Sequence, residues 1–183
     1  MQSIMHASHH IFLCGFMGSG KSTQGKKLAS LLRMRYIDLD KHIQKLENKT
    51  IESIFETLGE KHFRDLETKY LKELVQEKNP KIFSLGGGTV CFNNNIEFIK
   101  SSGILIYINM TAAALSERLK KSKQNRPLLK NIHPDEINNF IEQKLKDRQL
   151  YYTQAHLTIE GINLTATDLN NAILQFKKHN EKK

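Results

Sequence analysis

The sequence has no tryptophan, two cysteines and three prolines in 183 residues. The only two, Cys14 at the end of the first apolar run and Cys91 beyond a glycine run, fit reduced buried thiols better than a disulfide framework or a metal site. No apolar run approaches the roughly 20 residues of a membrane span. The longest early run, Ile11 to Leu13, is too short for the core of a secretory signal, so a cytoplasmic location is expected. Repeats, linkers and low-complexity segments are missing apart from the basic last residues, which leaves residues 1–183 as one expected domain with a sizeable core. Acidic residues are outnumbered, 19 against 28 Lys and Arg, for a net charge of +9. Those cations are scattered over helix faces and both tails rather than gathered in one stripe, which argues against a nucleic-acid partner. An early group, His6, His9 and His10, reads as a polar arm before the first strand.

What the sequence does contain is a phosphate-binding pattern. Gly15-Phe16-Met17-Gly18-Ser19-Gly20-Lys21-Ser22 matches G-x-x-x-x-G-K-[ST], between an apolar run (Ile11 to Cys14) and a helical pattern. A triphosphate is a concentrated anion, and glycines let bare backbone N–H groups curl around its oxygens. Lys21 adds a mobile charge near the β and γ phosphates, Ser22 a hydroxyl for a magnesium ion, and the following helix its partly positive N-terminus. No N-K-x-D guanine-reading motif occurs, which weakens a GTPase switch.

Strand and helix signals alternate along the chain. Strands are expected at His10–Cys14, Arg35–Ile37, Lys81–Leu85, Ile104–Ile108 and His156–Ile159, the fourth an almost continuous apolar run suited to a buried parallel strand. Helices are expected over Lys21–Arg33, Lys41–Leu46, from a Thr50 cap to a stop at Gly59, Glu60–Glu77, Asn94–Lys100, from Thr111 to Lys121, from Pro134 to Tyr152, and Asp168–Lys177. Ser122 to His133, polar, basic and interrupted by Pro127, reads as an exposed functional loop. This alternation makes a three-layer α/β domain around a parallel sheet.

Ligands of such sheets collect at the carboxyl ends of the strands. There the second strand runs into Asp38-Leu39-Asp40 and the third into Gly86-Gly87-Gly88. As i and i+2 of an extended segment the aspartates point the same way, one to hold magnesium through water and the other to accept a hydroxyl proton; alternatively they cap or solvate a turn. The glycines imply a backbone that comes very close to something, or a merely flexible loop. Arg64 and Arg148 are candidates to grip a carboxylate. Glu67, one turn after Arg64, either orients that guanidinium or forms a surface pair.

In order, Gly15 to Thr23, Asp38-Leu39-Asp40, Gly59-Glu60 with Phe63-Arg64 and Glu67, Gly86 to Gly88, Arg126-Pro127-Leu128-Leu129, and Arg148 with Tyr151-Tyr152 resemble the shikimate kinases over nearly the whole chain. The resemblance implies a P-loop kinase fold of the nucleoside monophosphate kinase type: α/β/α layers, a five-stranded parallel sheet in the order 2-3-1-4-5, substrate-binding helices at about 41–78 and a lid at about 122–133. It implies transfer of the ATP γ-phosphate to the shikimate 3-hydroxyl, in aromatic amino-acid biosynthesis, with Mg²⁺. Gly18, Ser19, Gly20, Lys21, Ser22, Thr23 and the lid's Arg126 would bind ATP, with Ser22 and Asp38 serving the metal. Asp40, Arg64, Gly86, Gly87, Gly88 and Arg148 would bind shikimate, and Lys21, Asp40 and Arg126 would carry the catalysis. Basic side chains often flank the adenine in this family. Arg118 or Lys120 can supply the first here, whereas Gly161-Ile162-Asn163-Leu164 has no basic residue for the second. A monomer is the default expectation. The alternatives are a kinase of another small hydroxy acid such as gluconate, and a nucleotide-binding module without transfer.

Overall fold

The computed structural model describes residues 9–122, 129 and 132–180. Strands β1 (His10–Cys14), β2 (Arg35–Asp38), β3 (Lys81–Ser84), β4 (Gly103–Asn109) and β5 (Leu157–Glu160) form one parallel sheet in the order β2-β3-β1-β4-β5, as the resemblance implies. Parallel neighbours need crossovers, and these are supplied by α1 (Lys21–Leu32), α2 (Leu39–Glu47), α3 (Ile51–Gln76), α4 (Asn95–Ser102), α5 (Ala112–Lys120) and α6 (Ile137–Tyr152), while α7 (Ala166–Asn180) follows the last strand.

The central strands are apolar throughout because both of their faces are covered. Successive residues of β1 go to opposite sides: Phe12 and Cys14 join Phe83, Leu105 and Tyr107 in a core with α2 and α3, whereas Ile11 and Leu13 join Ile82, Ile104 and Ile106 in a core with α1 and α7. Register is set by pairs such as Ile11 with Ile82 on one side and with Ile104 on the other. The edge strand β5 alternates half-buried and exposed residues instead. A third apolar cluster, Phe16, Leu115, Leu119 and Ile141, joins α5 and α6 beside the first loop. Both cysteines are free, and burial pushes the Cys14 thiol up to about 12. Among the described residues no helix is long and apolar enough to cross a membrane.

Thr50 and Thr111 cap α3 and α5 as expected, accepting from the Ser53 and Ala114 backbone N–H. Gly59 interrupts α3 with φ 81° and ψ 167°, so the segment is two helices meeting at a kink. Three starts differ from the sequence reading. Helix α2 begins at Leu39 because the Asp38 side chain caps it, accepting from Lys41 N at 3.3 Å. Helix α7 begins at Ala166 because Thr165 and Asp168 cap each other: Thr165 N donates to Asp168 Oδ2 at 3.0 Å and Asp168 N to Thr165 Oγ1 at 3.2 Å. Pro134 lies before α6 rather than in its first turn, since a turn closed by Glu136 N donating to His133 O at 2.9 Å precedes Ile137.

Candidate active site

The phosphate-binding pattern forms a loop between β1 and α1 in which Gly15, Gly18 and Gly20 have φ of 136°, 84° and 99°. A side chain is excluded at Gly15 by space as well, because a Cβ there would lie 2.6 Å from the Ile108 carbonyl oxygen. Helix α1 has Gly20 at its cap, with no capping side chain and no acid in its first turn. Its leading N–H groups and its partial positive charge are thus kept for an anion. Lys21 is 7% exposed, and its ammonium donates to the Gly15 and Phe16 carbonyls at 2.8 Å, which holds it inside the loop. Ser19 is buried and its Oγ has no partner among the described residues, so its side chain does not line the cleft as those of Lys21, Ser22 and Thr23 do.

The two aspartates part company, contrary to the expectation of an extended pair facing one way. Because α2 starts at Leu39, Asp38 ends a strand and Asp40 lies in the first helical turn. The Asp38 carboxylate accepts from Ser22 Oγ at 3.1 Å and Tyr36 OH at 3.3 Å, while Ser84 Oγ lies 3.2 Å from Ser22 Oγ. Ser22 and Asp38 are hard oxygen donors side by side, which suits Mg²⁺, an ion that keeps several waters and takes substrate phosphates as further ligands. Asp40 turns toward the glycine run, and its Oδ1 is buried without a hydrogen-bond partner among the described residues. Burial, then the neighbouring carboxylates Glu67 and Asp38, push its carboxyl up to about 7 against the pull of Lys21 and Arg64. Such a group can take up a proton near neutral pH.

Arg64 is 6% exposed and Glu67 fully buried. The Arg64 guanidinium donates from Nη1 to Glu67 Oε2 at 2.5 Å, and from Nε and Nη2 to Glu60 Oε1 at 3.2 and 2.9 Å. Burial works against its charge, but Glu67 and Glu60 outweigh it and hold the guanidinium cationic. Glu67 is therefore the orienting partner and not a surface pair; burial raises its carboxyl against the opposing pull of Arg64, and Thr89 donates to its Oε1. What the glycine run approaches so closely is this charged group. A Cβ on Gly86 would lie 2.6 Å from Glu67 Oε1 and 2.9 Å from Asp40 Oδ1, and one on Gly88 would lie 2.8 Å from Arg64 Nη2. From the other side, Arg148 Nη1 donates to Gly87 O at 3.1 Å, and the hydroxyl of Tyr152 donates to the same carbonyl. The Arg148 guanidinium also lies over the Phe16 ring at 5.4 Å.

One cleft of about 1300 Å³ is lined from Lys21 and Ser22 through Asp38 and Asp40 to Arg64 and Arg148. Among the described residues, it puts the glycine loop, the Ser22 and Asp38 pair, the buried Asp40 carboxyl and two arginines around one space. Of the two candidates near the adenine end, Arg118 is the one that reaches the loop, donating to Gly18 O at 3.4 Å and Gly161 O at 3.1 Å. Arg126 lies outside the described residues, as does most of the expected lid. The sequence reading did not single out Thr89 or assign a role to Tyr152, and it left Glu67 undecided. Only Glu67 carried a local signal, its i, i+3 spacing from Arg64.

Known proteins are similar to this chain over most of its length. Residues 17–177 match the family model described as shikimate kinase. The chain is 41% identical over 159 residues to a shikimate kinase of Azobacteroides pseudotrichonymphae genomovar. CFP2, covering 87% of this chain and 94% of that one. It is 37% identical over 170 residues to a shikimate kinase of Parabacteroides distasonis, covering 91% and 98%. Among solved structures it is similar to the shikimate kinase of Acinetobacter baumannii in complex with shikimate, with TM-score 0.84 and 36% identity over 97% of both chains. The shikimate kinase of Bacteroides thetaiotaomicron is similar at TM-score 0.80 and 39% identity, over 84% of this chain and 86% of that one. With the family match running from Met17 within the phosphate loop through the aspartates, the glycine run and both arginines, the chain belongs to the shikimate kinase family.

Proposed function

We propose that this chain transfers the γ-phosphoryl group of ATP to the 3-hydroxyl of shikimate, giving shikimate 3-phosphate and ADP. The observation that carries the reading is the single cleft in which the phosphate loop faces Asp40 and two arginines. Phosphoryl transfer leaves little covalent work to the protein, so position and charge do most of it. The loop N–H groups and Lys21 hold the phosphates, and Lys21 moves with the charge as it shifts toward ADP. Arg64 and Arg148 hold the shikimate carboxylate and so fix which ring hydroxyl meets the phosphorus. As the hydroxyl oxygen bonds to the γ phosphorus and the bond to the bridging oxygen of ADP breaks, Asp40 takes the hydroxyl proton. Mg²⁺, held by Ser22 and through Asp38, would neutralise phosphate charge. Arg126 keeps the lid role that the family resemblance assigns it. We take a monomer as the default working unit for a kinase of this size, and we place the reaction in the cytoplasm where ATP is made available. The test is ADP release from ATP and Mg²⁺ with shikimate, quinate or gluconate as acceptor. Release that depends on shikimate is expected; release with gluconate alone would replace this reading with that of another acid kinase.

A further inference from the structure

The segment that follows the glycine run does more than lead into α4. Phe92 places its ring centroid 4.5 Å from the Arg64 guanidinium carbon, nearer than Phe63 at 5.2 Å or Phe55 at 5.8 Å. At 38% exposed, Phe92 is a rim residue and does little for the core. Its neighbour Asn93 turns onto the same turn of α3, where Nδ2 donates to Arg64 O at 3.2 Å, Asp65 Oδ1 at 3.0 Å and Thr68 Oγ1 at 3.0 Å. Two successive residues there, Asn93 and Asn94, lie in the left-handed region, with φ of 52° and 56°, and turn the chain into α4. Asparagine enters that conformation more readily than other side-chain-bearing residues, so a tight turn forms here without glycine. The far end is anchored too: Asn95 Nδ2 donates to Thr89 O at 3.0 Å, and the Thr89 hydroxyl binds Glu67. One short segment thereby touches the guanidinium face, the backbone and the carboxylate partner of the same arginine.

We propose that Phe92 and Asn93 are positioning residues for recognition of the acid substrate, fixing the aim of the Arg64 guanidinium, Phe92 from its face and Asn93 through its backbone. The proposal rests on the reading of Arg64 as a carboxylate-binding group. Three of the five N–H donors of Arg64 are taken by Glu60 and Glu67 in the bonds above, and a carboxylate needs two in one plane. A guanidinium free to tilt would present that pair poorly. An aromatic ring over its face resists the tilt without using a donor.

Steady-state kinetics of the full chain test this with Phe92→Leu, Phe92→Tyr, Asn93→Gly and Arg64→Ala. Phe92→Leu should raise the KM for shikimate roughly three- to tenfold, with kcat and the KM for ATP within about twofold. Phe92→Tyr, which keeps the ring face, should behave as the parent does. Asn93→Gly, which keeps the left-handed backbone and removes the amide, should shift the shikimate KM in the same direction. In an Arg64→Ala background, Phe92→Leu should add nothing, because its effect runs through the guanidinium. An unchanged shikimate KM in Phe92→Leu, or equal rises for shikimate and ATP, overturns the proposal. If Arg64→Ala itself leaves the shikimate KM unchanged, the carboxylate reading of Arg64 has failed first; a large rise there beside an inert Phe92→Leu defeats the positioning role alone.

Discussion

At one end of the cleft a contiguous loop offers backbone N–H groups and one ammonium, whereas at the other a guanidinium is held by two carboxylates and two aromatic rings of its own helix segment α3 and by the Phe92 ring from beyond the glycine run. The first arrangement is local: positive φ at three glycines and an uncapped helix start are all it needs. The second is tertiary, since Arg64, Gly88, Thr89 and Arg148 meet only once α3, the glycine run and α6 have packed together. The difference teaches how each end should fail. Loss of a side chain at the phosphate end removes charge from the reacting group, while loss at the acid end leaves buried partners unpaired and weakens the grip on one substrate.

Lys21→Ala should give the largest effect, lowering kcat by about 10²- to 10³-fold or more, with circular dichroism and melting temperature close to the parent. Near-normal turnover would erase the distinction between the two ends.

Asp40→Asn, at the junction of the ends, should lower kcat by about 10²-fold, the low end for a lost general base, and also separate rate from stability. The raised carboxyl, at about 7 in the folded chain against an ordinary 3.8, binds its proton more tightly in the folded than in the unfolded state. Its contribution to stability is therefore complete below about pH 4 and is lost as the pH rises through about 7. The asparagine variant should melt higher than the parent at pH 8 and lose that advantage by pH 4. For the parent, kcat/KM should fall on the acid side of about pH 7, as the base becomes protonated. A flat profile between pH 5.5 and 8 would move the base elsewhere.

Arg148→Ala should weaken shikimate binding by about 2 to 5 kcal/mol while ATP binding barely changes, as calorimetric titration of each ligand would show. Equal losses for both would merge the ends into one structural defect.

The smallest effect is expected at Gly59, where φ 81° and ψ 167° meet open space around the missing Cβ. Gly59→Ala should cost roughly 1 to 3 kcal/mol of stability from backbone strain, read as a lower melting temperature with kinetic constants little changed at 25 °C. A variant as stable as the parent would mean that the kink relaxes without glycine.

Legibility in the sequence follows the same division. Gly15 to Ser22 was readable because its chemistry lies in consecutive residues between a strand and a helix, and the alternation of elements gave the layers. The aspartates were placed but misdirected: an N-cap at Asp38 and an extended pair look alike in sequence, and only the Lys41 N–H decides between them. Arg64 and Glu67 showed helical spacing, yet nothing local tells that Glu67 is fully buried. Thr89, Phe92 and Asn93 gave no signal, since their partners lie on α3, more than twenty residues back along the chain. Arg118 and Lys120 were inseparable because only the packing of α5 against the loop brings one of them to Gly18.

The central claim is that both ends of the cleft serve one transfer to one hydroxyl. Phosphorus NMR of the full chain with ATP, Mg²⁺ and shikimate tests it most directly. The account predicts ADP and a single new phosphate monoester coupled to the proton on ring carbon 3, formed only when both substrates are present. ADP accompanied by inorganic phosphate at the same rate with or without shikimate, or a monoester at another hydroxyl, would contradict it.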